Sequence, residues 1–152
     1  MKKFSLLQLL PALDSGGVEQ GTVDLANFIG QSNLGSFVVS RGGKMESQLN
    51  RKTTKHITLP ANTKNLFYMP FVANKLSKII HTYNIDIVHV RSRAPAWLLQ
   101  FINKKKFISV STFHNIYGTD NFLKKYYNKS LGKVDHIIAI SQYVKSQIVN
   151  LY

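Results

Sequence analysis

The residues of this chain best suited to chemistry fall in four short stretches: Asp14-Ser15-Gly16-Gly17-Val18-Glu19, Arg41-Gly42-Gly43, Arg91-Ser92-Arg93 and His114-Asn115-Ile116-Tyr117. The first is the most informative. An apolar run, Phe4 to Leu10, precedes it and an amphipathic run from Val18 follows it. Glycine lets a ligand approach the main chain closely. The first N–H groups of a helix point outward at the positive end of its dipole. A strand that enters a helix through Gly16-Gly17 therefore suits a phosphate or diphosphate. The plainer alternative is a tight strand-to-helix connection with no ligand, because Gly-Gly alone is not the Gly-x-Gly-x-x-Gly fingerprint of dinucleotide sites. Glu19 lies one turn into the helix, either as a partner of the dipole or as a carboxylate that binds an acceptor.

Arg91 and Arg93 flank Ser92 where a strand hands over to a helix, with Pro95 near its start. Guanidinium forks match carboxylate and phosphate geometry. Acids are few, 7 Asp and Glu against 20 Lys and Arg, so an arginine facing a cleft is more plausible here than usual. His89 is expected to be a hydrogen-bonded interior histidine. His114, just past a buried strand, is a candidate donor to a sugar or phosphate oxygen. No metal-ligand spacing occurs, no Ser-His-Asp order stands out, and no cofactor is expected.

Strands and helices must alternate to place these residues. Strands are expected at Phe4–Leu10, Phe37–Ser40, His56–Leu59, Ile85–Val90, Phe107–Phe113 and His136–Ile140. Helices are expected at Val18–Gln31 with Ser15 as N-cap, Met45–Arg51, Met69–Tyr83 with Pro70 in its first turn, and Ala94–Asn103. Two more are expected at Asp120–Leu131, with Asp120 as cap, and Ser141–Val149, with Ser141 as cap. This is an α/β chain with a doubly wound parallel sheet. In such sheets ligands bind beyond the carboxyl ends of the strands, where all four stretches fall.

The chain has 152 residues, one domain's worth, and contains no cysteine. No apolar stretch approaches the roughly 20 residues that span a bilayer. Met1-Lys2-Lys3 and the following leucines mimic a signal peptide, but Gln8 interrupts the run and Asp14 follows it. The net charge of +13 invites nucleic-acid and membrane readings. Only four of the 20 bases are arginine, and they cluster at strand ends, which argues against nucleic acid. What remains is a solvated basic surface or attraction to an anionic membrane, with Lys104, Lys105, Lys106, Lys124 and Lys125 as contributors.

In order along the chain, Gly16-Gly17-Val18-Glu19, Val88-His89-Val90-Arg91-Ser92-Arg93-Ala94-Pro95-Ala96-Trp97, Thr112-Phe113-His114 and Ile137-Ile138-Ala139-Ile140-Ser141 resemble the N-terminal domain of family 4 glycosyltransferases. The similarity is greatest to bacterial lipopolysaccharide core mannosyltransferases. The resemblance implies a Rossmann-like half of a GT-B fold, with residues 1–152 as the acceptor-binding domain. It implies transfer of a hexose, mannose, from a nucleotide sugar to a lipid-linked saccharide acceptor, with retention and without a metal. By position, Gly16 and Gly17 meet the donor diphosphate and His114 meets the transferred sugar. Glu19, Arg91, Arg93 and Tyr117 lie on the acceptor side. The family has Gly after this His, where the chain has Asn115. The chain stops at Tyr152, short of the domain that binds the nucleotide sugar, so a truncated or split transferase is expected, inactive alone. The alternative is a non-catalytic remnant that binds an anionic membrane or a separately encoded C-terminal half. The expected location is the cytoplasm, peripheral on the inner face of the bacterial inner membrane.

Overall fold

Leu7 and Leu9 of strand β1 (Ser5–Leu9) point to one side of a sheet and Leu6, Gln8 and Leu10 to the other, and all five are buried. A strand buried on both faces needs a layer of helices on each. The computed structural model of the protein, which describes residues 4–103, 106–116 and 122–151, supplies both. Helix α1 (Gly17–Gln31) packs Val23 and Ala26 against Leu10 and Val38 on one face. Helix α2 (Met69–Thr82) packs Met69, Val72, Leu76 and Ile80 in a cluster with Leu7, Leu9, Val39, Val88 and Val90 on the other.

The described residues form one sheet of six parallel strands in the order β3-β2-β1-β4-β5-β6. The other strands are β2 (Gly35–Ser40), β3 (Thr54–Thr58), β4 (Ile87–Val90), β5 (Ile108–Phe113) and β6 (His136–Ala139). This is the doubly wound Rossmann-like order, and its reversal lies between β1 and β4. Helix α3 (Arg93–Leu98) follows β4, α4 (Phe122–Asn128) precedes β6, and α5 (Gln142–Leu151) follows it. Carboxylates tie the amino ends of the strands. Asp86 Oδ2 accepts from Ser5 N–H at 2.9 Å, and Asp135 Oδ2 accepts from both N–H and Oγ of Ser109 at 2.7 and 2.6 Å.

Most expected elements are present with ends shifted by one or two residues. The segment after β2 is a 3-10 turn, Lys44–Gln48. Ser141 caps α5 as expected, its Oγ accepting from Val144 N–H at 3.1 Å. Ser15 does not cap α1. Gly16 takes that position at φ 141°, with no side-chain cap, because the chain turns into the helix through a conformation that only glycine adopts readily. The expected cap Asp120 lies outside the described residues. Strand β6 departs from the pattern of the others. Ile137 and Ile138 point to opposite faces, and both are exposed.

Candidate functional site at the carboxyl ends of the strands

The first hydrogen bond of α1 runs from Gln20 N–H to the Gly16 carbonyl at 2.9 Å. The N–H groups of Gly17, Val18 and Glu19 stand ahead of this ladder. A Cβ on Gly17 would meet nothing within 4 Å, so the turn opens onto free space. Glu19 folds back toward it. A Cβ on Gly16 would lie 2.6 Å from Glu19 Oε2, so the carboxylate sits at the positive end of its own helix. That placement agrees with the dipole-partner alternative.

A second glycine pair braces this turn. Leu13 N–H donates to the Gly42 carbonyl at 2.9 Å, Met45 N–H donates to the Leu13 carbonyl at 2.8 Å, and Arg41 Nη2 meets Asp14 Oδ2 at 2.7 Å. Gly43 packs so tightly on the Leu13 backbone that a Cβ would overlap the Leu13 carbonyl group. Arg41-Gly42-Gly43 is therefore the scaffold of the Gly16-Gly17 turn. Sequence alone shows the glycines but not which backbone they touch.

The two arginines of Arg91-Ser92-Arg93 diverge. Arg91 N–H donates to the Leu9 carbonyl at 2.9 Å, which anchors it at the β1–β4 reversal. Its side chain, only 8% exposed, runs beneath α1, where Nη2 lies 3.5 Å from the Val18 carbonyl and 3.0 Å from where a Cβ on Gly21 would be. Burial lowers its pKa and the Glu19 charge opposes that shift. Its buried Nε has no hydrogen-bond partner among the described residues. Arg93 turns the other way. Nη1 donates to Asn128 Oδ1 at 2.8 Å, and the guanidinium lies 5.5 Å from the centre of the Tyr127 ring. Arg93 lines a hollow of about 310 Å³ with Arg41, Lys64, Ser92 and Tyr127. Nothing in the sequence marks Tyr127 or Lys64, which reach this hollow from other elements, or Asn128, which holds Arg93 in place.

His114 joins Arg91. Burial lowers its pKa first and the Arg91 charge lowers it further, and its buried Nε2 has no hydrogen-bond partner among the described residues. A neutral imidazole with an unpartnered nitrogen beside a guanidinium can donate to, or accept from, a hydroxyl on a bound sugar. His89 is the interior histidine expected. Its Nε2 lies 2.7 Å from Thr112 Oγ1, and burial, with smaller contributions from Arg91 and His114, brings its pKa to about 4. Tyr117 lies outside the described residues. A larger hollow, about 810 Å³, lies at the amino ends of the strands beside Ser5, Asp86 and Phe107, away from all of these groups.

Residues 15–152 match the family described as Glycosyltransferase Family 4. The chain belongs to glycosyltransferase family 4. A glycosyltransferase from Rickettsia africae ESF-5 is 37% identical, with a TM-score of 0.82 over 98% of this chain and 40% of that one. HepE from Anabaena, solved in complex with UDP, is 16% identical with a TM-score of 0.68 over 97% of this chain and 41% of its own. Sucrose-phosphate synthase from Thermosynechococcus elongatus is 12% identical with a TM-score of 0.68 over 96% and 45%. The last two likenesses speak to fold. The chain spans about two fifths of the length of these structures. No curated protein matches it.

Proposed function

We propose that the chain is the acceptor-side half of a GT-B glycosyltransferase, transferring a hexose from a nucleotide sugar to a lipid-linked saccharide. The observation that carries this is the convergence of the Gly16-Gly17 turn, Arg91 and His114 at the β1–β4 reversal, with two buried side-chain nitrogens unpartnered among the described residues. Family membership and the Rickettsia africae likeness support it.

In this mechanism the N–H groups of Gly17 and Val18 face the donor diphosphate and stabilise the charge that develops as the nucleoside diphosphate departs. Arg91 adds positive charge from below. His114 bonds a hydroxyl of the transferred sugar and orients it. Arg93, with Arg41 and Lys64 across the hollow, holds the acceptor. Glu19 must swing from Gly16 as the diphosphate arrives, and is then placed toward the acceptor. Tyr117 belongs to the same acceptor side by resemblance. Mannose as the sugar, a lipopolysaccharide core as the acceptor, and retention without a metal are proposed on the family resemblance, of which the Arg91-to-Trp97 segment is the most specific part. The exposed faces of β6 favour further protein packed beside this half, and a second domain is proposed to hold the nucleotide. A remnant that only binds such a half, or a membrane, is the second reading, and the exposed β6 faces are compatible with the first of these partners. The proposed location is the inner face of the bacterial inner membrane.

The test joins this chain to the second domain of the Rickettsia africae glycosyltransferase and follows labelled sugar from GDP- and UDP-sugars into lipid-linked saccharide. The fusion is expected to transfer sugar and the isolated chain to transfer none. Turnover by the isolated chain overturns the two-half account. A folded fusion that binds nucleotide sugar yet transfers none leaves the binding remnant.

A further inference from the structure

The entry to helix α2 carries an apolar surface that none of the described residues covers. Phe67 is 98% exposed, and Leu66, Tyr68 and Phe71 are exposed around it. The Tyr68 and Phe71 rings are 5.5 Å apart. The loop is built and not merely loose. Asn65 Oδ1 accepts from Phe67 N–H at 3.0 Å and Tyr68 N–H at 3.3 Å, and the Asn65 carbonyl accepts from Met69 N–H at 2.9 Å. A backbone fixed this way presents Phe67 to solvent at no gain to the fold. Contiguous exposed apolar groups of this kind mark interaction surfaces.

The charge around the patch is of one sign. Lys64 precedes it, Lys75 Nζ lies 4.6 Å from the centre of the Phe71 ring, and Lys78 follows on the same exposed face of α2. No acid occurs between Glu46 and Asp86. A second copy of the chain docked through the same patch would bring these lysines face to face with no carboxylate to pair them. Exposed Phe28 on α1 provides the contrast, because Asp24 lies one turn before it. Aromatic rings and lysine stems with charged heads suit the boundary between acyl chains and anionic headgroups. No helix of the described residues is long and apolar enough to cross a bilayer.

We propose that Leu66, Phe67, Tyr68 and Phe71 dock the protein on an anionic lipid bilayer by inserting among the acyl chains, with Lys64, Lys75 and Lys78 on the headgroup phosphates. This differs from the purely Coulombic attachment through Lys104–Lys106 and Lys124–Lys125 suggested by the sequence. Lys104, Lys105 and the Lys124 side chain lie outside the described residues. Lys64 and Asn62 also line the 310 Å³ hollow, so docking would hold that hollow at the membrane surface. The proposal stands on this surface alone and not on the transferase reading.

The chain has no cysteine, so a Phe67→Cys variant carries a single environment-sensitive fluorophore. Its emission should shift to the blue with phosphatidylcholine vesicles containing phosphatidylglycerol and stay unchanged with phosphatidylcholine alone. A label at Phe28→Cys should not respond to either. Leu66→Ser with Phe67→Ser should lower the vesicle partition coefficient at least about tenfold. The thermal unfolding midpoint should not change, since both side chains are already in water. The proposal is overturned if wild type fails to sediment with the anionic vesicles, or if the serine variant sediments as well as wild type. It is also overturned if the label at position 67 stays unmoved on bound vesicles, or shifts with protein concentration in the absence of lipid.

Discussion

Glycines 17 and 43 separate ligand approach from folding at the level of single residues. A side chain at Gly17 enters open space, whereas one at Gly43 enters the Leu13 backbone at φ 149°. Gly43→Ala is therefore expected to destabilise the chain by about 2–4 kcal/mol through strain and overlap. Gly17→Val should leave stability within about 0.5 kcal/mol, as expected for a surface change away from packing. In the fusion, Gly17→Val should nonetheless cut sugar transfer, because its branched Cβ occupies the space a diphosphate needs. Chemical denaturation and transfer assays on the same two variants check this. Equal stability, or a fully active Gly17→Val, contradicts the division of labour. The sequence showed both glycine pairs. Only Gly16-Gly17 could be read, because a strand-to-helix junction has a known chemistry, whereas the Gly43 contact is with a backbone 30 residues away.

Element ends carry the fold's polar organisation. Asp86 and Asp135 knit the amino ends of β1 and β5, and the carboxyl ends of β2 and β4 carry Arg41, Arg91 and Arg93. Asp135→Ala leaves Ser109 N–H and Oγ without their carboxylate and is expected to cost about 2 kcal/mol. Urea unfolding measures it, and the account also expects no change in the amide resonances of Gly16 and Gly17 at the far end of the sheet. Helices and strands were legible because apolar runs of Val, Ile and Leu alternate with 3.6-residue patterns. The opposite directions of Arg91 and Arg93 were not legible in this way, since residues two apart on an extended strand share a face. Here α3 begins at Arg93 and breaks that rule. The partners Asn128 and Tyr127 were not legible, because a polar contact between separate helices leaves no spacing to read.

The whole molecule stores a pH dependence in its interior. His89 titrates near 6.5 when unfolded and at about 4 in the fold. Between those values the unfolded chain binds more protons, so stability is full above about pH 6.5 and declines as pH falls toward 4. The difference corresponds to about 3 kcal/mol. His56 and His114, also lowered by burial, act in the same direction. His89→Gln should therefore flatten the decline of unfolding free energy between pH 7 and 4, and an unchanged slope would remove His89 as its source. We propose that one wall of a nucleotide-sugar site lies at the carboxyl ends of β1, β4 and β5. The most direct measurement is titration of the ¹⁵N-labelled chain with UDP and with GDP, followed by amide and imidazole resonances. Progressive shifts are expected at Gly16, Gly17 and Val18 and at the His114 ring, enhanced by Glu19→Gln, which clears the carboxylate from the turn. Shifts confined to Ser5, His81 and Asn84 around the hollow at the opposite end of the sheet, or none at millimolar nucleotide, would contradict it.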